Sequence, residues 1–253
     1  MKRLTILAVV AWGLGAILLA TTSTCALADT VNVGDRSADS GSSDDTFIWS
    51  GAAWDDGDWG AYTPLILGWY PSASARALLR FDLSFMDPDD TITAATLHLV
   101  CAGVTGGGVT PRVFGIMAAN EDADFGNGTG SNAINEACWK YKSRSGTNWA
   151  GSQGLSTSGT DYYSTNYGTF AKMTSIGAKS LSLNSTGITY LNTKVGTDAA
   201  ELIIGVIEGA TSDVYVTIAS DDAVTDSYKP RLALTYTPPS SSVSQVIMIQ
   251  CFD

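Results

Sequence analysis

The sequence predicts an all-β chain: a jelly-roll-type antiparallel β-sandwich in a single domain. Three observations carry this. Short apolar runs recur between clusters of turn-forming residues along most of the length. Glycine, serine and threonine are dense, charge is sparse, and no long stretch shows a helical period. Residues 75–84, ARALLRFDLS, alternate strictly: Ala77, Leu79, Phe81 and Leu83 fall on one side, and Arg76, Leu78, Arg80 and Asp82 on the other. That period of two marks a strand with one face buried in a core.

Taken in order, strands are expected at 45–50 (DTFIWS), 64–69 (PLILGW), 76–83, 94–101 (ATLHLVC), 112–117 (RVFGIM), 137–141, 180–183, 201–207 (ELIIGVI), 214–219 (VYVTIA) and 231–236 (RLALTY). From Leu202 to Ile207 both parities are apolar or small, which places that strand centrally, covered on both faces. One short helix is expected at 188–195. Two stretches, 120–135 and 143–169, carry no strong pattern. Loops of that length within a compact domain are commonly functional.

The ends read differently from the middle. Lys2 and Arg3 precede an apolar run from Leu4 to Ala20, and Ala26-Leu27-Ala28 forms an A-x-A site before Asp29. This is the layout of a secretory signal peptide over residues 1–28; the run is short for a spanning helix, so no retained membrane span is expected. The sandwich is assigned to 29–237. Residues 238–253 open on a PPSSS linker and continue as an apolar run, VSQVIMI, from Val243 to Ile249. Loss of Lys2 and Arg3 takes the formal charge from −11 to −13. So acidic a chain is unsuited to nucleic acid, whose affinity comes from neutralised phosphates. Its expected place is outside the cell or on its surface.

Chemistry-bearing residues are few. The single histidine, His98, sits in an alternating strand, so neither a His-based triad nor an H-E-x-x-H zinc site is available. No catalytic residue is assigned and no enzyme is expected. The acids cluster in turns, where Asp beside Gly is ordinary turn chemistry. Irregular calcium loops use the same residues, and Asp55, Asp56 and Asp58, or Asp44 and Asp45, are candidate ligands for a structural calcium. Export permits a disulfide. Cys101 and Cys138 are the candidate pair, the alternative being two small buried residues; Cys251 is then left over. Asn127 and Asn184 begin glycosylation-type triplets.

Aromatic rings stand in loops among Gly, Asp and Asn. Trp54, Trp59, Trp149 and Tyr162 are candidate glycan-binding residues, since such rings stack on the apolar faces of sugars. The other reading open to them is that they plug the ends of the sandwich. Arg76, Arg80 and Asp82 share one strand face with no base, nucleophile or phosphate loop nearby. They read as pins between the sheet and a loop.

Put together, SDDTFIW, DWG, LILGW, ARALLRFDLS and ITAATLHLV resemble the opening half of the DNRLRE-domain family, and EACWKY…TNWAGSQG and VYVTIASDDAVTDSYKPRLALTY resemble its later segments. The resemblance covers residues 30–237. It implies a secreted jelly-roll sandwich without catalytic machinery, found on surface and secreted proteins and related to a carbohydrate-binding module family. It also implies fold-maintaining roles for Arg80, Phe81, Asp82, Leu97, Leu99, Trp139 and Tyr236. Two functions are in view: an extracellular structural or surface subunit, self-associating through residues 243–249 as an added strand, and a carbohydrate-binding module or adhesin recognising extracellular polysaccharide.

Overall fold

The computed structural model describes residues 27–239 apart from 52–54, 56, 58, 62, 71–72, 122, 126–136, 144–146 and 206–212. These residues belong to one compact unit, Ala26–Pro239. The elements are β1 (Asp29–Gly34), β2 (Ser43–Trp49), β3 (Leu65–Trp69), β4 (Ser74–Asp82), β5 (Thr91–Thr105), β6 (Arg112–Gly115), β7 (Tyr141–Ser143), β8 (Thr147–Asn148), β9 (Gly168–Thr169), β10 (Gly177–Ser182), α1 (Ser185–Asn192), β11 (Ala199–Gly205), β12 (Val214–Ile218) and β13 (Arg231–Thr237). The segments 1–28 and 238–253 fall almost wholly outside the described residues. Among the described residues, no helix is long and apolar enough to cross a membrane.

The predicted all-β sandwich is what the chain forms. One large antiparallel sheet runs β1-β13-β5-β12-β3-β4-β11-β6-β9, with β10 joined to β5 and β2 joined to β4. It curls on itself, so that inner faces from both ends of the path share one core. Ala77, Leu79 and Phe81 of β4 meet Leu202 and Ile204 of β11, Leu97 and Leu99 of β5, and Leu232 and Leu234 of β13 there. The alternation in ARALLRFDLS is thus realised as read. Each fully buried leucine contributes roughly 1.5–3 kcal/mol over leaving it in water.

Several boundaries differ from those expected. β1 carries only two apolar residues, Val31 and Val33, too few for a period to stand out, yet it pairs along its full length with β13. β5 extends well past both ends of its apolar run because it has three partners in succession, β13, β10 and β12. The strand expected at 137–141 begins only at Tyr141, as β7 of a small hairpin with β8. The helix starts at Ser185 rather than 188. Asn184 caps it, its Oδ1 accepting from Gly187 N at 3.1 Å.

The feature the sequence hides is a second layer. The outer face of the β2, β4, β11 and β6 region is also apolar, carrying Ile48, Leu78, Ile203, Phe114 and Ile116. The chain after β6 folds back over this face and buries it with Ala123, Phe125, Ala137, Trp149, Leu155 and Tyr162. A sheet face with its own apolar cover explains why β11 is apolar at both parities.

Candidate functional site: the charged cluster beneath the cover

Arg76 and Arg80 stand four residues apart on the outer face of β4, with Leu78 between them in the second core. Arg76 reaches into the cover. Its Nη1 donates to the carbonyls of Gly154 and Leu155, the latter at 2.7 Å, and its guanidinium lies 5.3 Å from the centre of the Trp139 ring. Gly154 holds a positive φ of 73°, and a Cβ there would run into the Trp139 indole. Glycine is therefore the residue that lets this carbonyl turn towards Arg76.

Arg80 is the hub. Cross-strand register sets it opposite Glu201 of β11, whose Oε1 accepts from Nε at 2.9 Å and from Nη2 at 2.7 Å. Nη2 also donates to the Ala123 carbonyl at 2.5 Å, and Nη1 lies 3.4 Å from Asp44 Oδ2. The guanidinium sits 4.3 Å from the centre of the Phe125 ring, so the cover packs on the cation that ties it down.

Glu201 is 2% exposed. Burial pushes its carboxyl up to about 7; Arg80 pulls it down, but by less, while Glu121 and Asp198 push it further up. The network continues through Tyr190 of α1, whose hydroxyl oxygen accepts from Glu201 N at 3.0 Å and lies 3.0 Å from the Glu201 carbonyl and 3.2 Å from Glu121 Oε1, its one proton serving either. Lys194 Nζ donates to Glu121 at 2.6 Å. Burial works against that ammonium, yet the hydrogen bond and charge of Glu121 outweigh it and raise its pKa. The result joins β4, β11, α1 and the cover. Its one group poised near neutrality, Glu201, is sealed between Arg80 and the protein. His98 lies on β5, where its Nδ1 is 2.9 Å from Ser180 Oγ of the adjacent strand. Chemically the cluster does what the arginines were expected to do: it fixes a loop to a sheet.

The residues expected to bind ligands are placed otherwise. Trp59 is buried in the main core, stacked on Phe47 at 5.0 Å. Trp149 is buried in the second core with its Nε1 donating to the Cys138 carbonyl at 3.0 Å. Tyr162 packs edge-on against Phe114 at 5.1 Å. These three rings plug and cover the sandwich rather than offer faces to a sugar; Trp54 lies outside the described residues. Asp55 is ion-paired to Lys140 at 2.8 Å, and Asp56 and Asp58 lie outside the described residues. Asp44 pairs with Arg80, whereas Asp45 points inward, 1% exposed. Among the described residues, no three His, Cys, Asp or Glu side chains converge as a metal site.

The candidate Cys101–Cys138 bridge is not formed; the alternative, two small buried residues, is what the structure shows, and the two belong to different layers. Cys101 faces the main core from β5 and donates to Gly103 O at 3.4 Å, its thiol pushed up by burial. Cys138 lies in the cover, its sulfur accepting from Tyr141 N at 3.3 Å.

Sequence reasoning assigned no role to Glu201, Glu121, Tyr190 or Lys194. A usable signal existed for the first: Glu201 is the lone acid in a strand apolar on both faces, so it needs a buried cation on a neighbouring strand. No protein-family model matches the chain, and no curated protein matches it.

Proposed function

We propose that this chain is a secreted, non-catalytic β-sandwich that serves as an extracellular structural or surface subunit and assembles through its C-terminal apolar run, residues 243–249. The observation that carries the reading is where β13 leaves the sheet. Tyr236, one residue before the end of β13, is paired with Asp29 at the start of β1, the outermost strand of the sheet path. β13 itself lies between β1 and β5, so the PPSSS linker leaves the sheet one strand in from its edge, beside the open side of β1. An apolar run on such a tether is suited to complete the sheet of a neighbouring copy by β-strand addition. Support comes also from the A-x-A leader, from the resemblance to the DNRLRE-domain family, and from the burial of Trp59, Trp149 and Tyr162. That burial leaves the carbohydrate-binding reading without three of its rings.

The test compares the chain from Asp29 to Asp253 with a copy ending at Thr237, by light scattering and negative-stain microscopy. Filaments or large oligomers from the longer chain, and monomers from the shorter, are expected. Monomers from both overturn assembly through residues 243–249, and binding on a glycan array would then favour the carbohydrate-binding reading.

A further inference from the structure

Asp45 and Asp221 are 176 residues apart in sequence and in direct hydrogen-bonded contact: Asp221 N donates to Asp45 Oδ2 at 2.7 Å. Asp45 stands on the inward face of β2, beside Phe47 and Trp49. Asp221 begins the turn after β12. Both residues are buried, Asp45 at 1% exposure and Asp221 at 8%. The second oxygen of Asp45, Oδ1, is buried and accepts from no donor of the chain, and the Asp45 and Asp221 carboxyls lie within hydrogen-bonding reach of each other. The Ser220 hydroxyl, wholly buried one residue away, has no partner either.

A buried carboxylate left with an open oxygen is costly unless a cation or a proton compensates it. Among the described residues, the charged groups that act most on the pair from around it are Asp44, Asp222 and Asp35, all acids. Burial first, and these like charges second, push both carboxyls above the ordinary carboxylate range.

We propose that Asp45 and Asp221 hold a calcium ion that ties β2 to the turn between β12 and β13. The donors on offer are all oxygen, which selects a hard cation over zinc or copper. With two carboxylates rather than three, the remaining ligands are hydroxyl, backbone carbonyl and water. A site of that charge belongs with extracellular calcium modules, whose affinities are about 0.1–1 mM. Its place is structural. β2 is bonded to β4, whereas the turn joins β12 and β13, the two strands that flank β5, so the ion would tie β2 to a different stretch of the sheet path.

The experiment is calcium titration of the full chain by calorimetry, with thermal unfolding in calcium chloride, magnesium chloride and EGTA. One calcium per chain is expected, with a rise in Tm of ~5–10 °C at saturating calcium and a smaller effect of magnesium. Asp45→Asn and Asp221→Asn should each abolish the rise, while Asp87→Asn, in an exposed turn, should leave it intact. An absent calcium effect, with Asp45→Asn as stable as the parent or more so at pH 7.5, overturns the proposal and assigns the pair a shared proton. Calcium binding that survives both substitutions also overturns it, since the ion then lies elsewhere. Should either variant fail to fold, the calorimetric stoichiometry and the EGTA effect on the parent decide.

Discussion

The two outer faces of the sandwich are built on opposite principles. Over β4 and β11 the outward side chains are Leu78 and Ile203 with Arg76, Arg80 and Glu201, and a long return of the chain covers them. Over β1, β13, β5 and β10 the corresponding row is Asn32, Ala233, Thr96 and Ser182, none of them fully buried and none apolar and large. A small polar row can stay in water at little cost. A row containing Leu78 and Ile203 cannot, and the loop that covers it must be held down with only the short β7–β8 hairpin as a ladder of its own. The arginines supply that hold. They bind backbone carbonyls of the cover at Ala123, Gly154 and Leu155, groups that irregular chain leaves unpaired.

The contrast is broken most severely at Arg80. Arg80→Met leaves Glu201 buried beside no cation and frees the Ala123 carbonyl, an expected loss of ~3–5 kcal/mol by urea unfolding. The double change Arg80→Met with Glu201→Met should recover much of that loss, since it removes the orphaned charge. Recovery of nothing would mean that the pair acts as more than a mutual neutraliser.

Next comes the apolar half of the same face. Leu78→Ala should cost ~2–4 kcal/mol, because it opens a cavity between sheet and cover. Thr96→Ala on the bare face should stay within ~0.5 kcal/mol. Equal effects at the two positions would erase the distinction between the faces.

A third test separates the faces by pH. The folded carboxyl of Glu201 titrates at about 7, against an ordinary value of 4.5. Between those values the folded chain holds a proton that the unfolded chain has released, so acidification favours folding. The contribution is complete below pH 4.5 and is lost as pH rises through 7, with an upper size of ~3 kcal/mol. Urea midpoints measured from pH 8 to pH 5 should rise more steeply in the parent than in Glu201→Gln. Parallel slopes would show that Glu201 does not titrate in that window.

The last and more local test is at the glycine that aims the cover. Gly154→Ala should cost about 1–2 kcal/mol from its positive φ, plus whatever Trp139 must move.

Legibility in the sequence followed the period of the side chains. ARALLRFDLS announced both faces of β4, and the doubly apolar run from Leu202 announced a covered central strand, though not what covered it. β1 was missed because two valines make no pattern, and its register is imposed by β13. Trp59, Trp149 and Tyr162 left two readings open, ring faces for a sugar or plugs of the sandwich, because Gly, Asp and Asn surround them, and the second is the one realised. Composition reports where a loop turns, not that it folds back and buries its rings. The Arg80–Glu201 and Asp45–Asp221 pairs depend on register and on long-range closure: a lone acid in β11 signals that Glu201 needs a cation, but which residue supplies it leaves no local trace.

The central claim is that the cover is a fixed layer pinned by β4, not a movable lid over chemistry. Hydrogen–deuterium exchange of the parent and of Arg76→Leu tests it most directly. The account predicts slow exchange in the parent at Gly154, whose amide donates to the Trp139 carbonyl, and at Tyr163. It predicts faster exchange at Gly154 in the variant while β4, β5 and β11 keep their protection. Fast exchange across the cover in the parent, or no change at Gly154 in the variant, would contradict it.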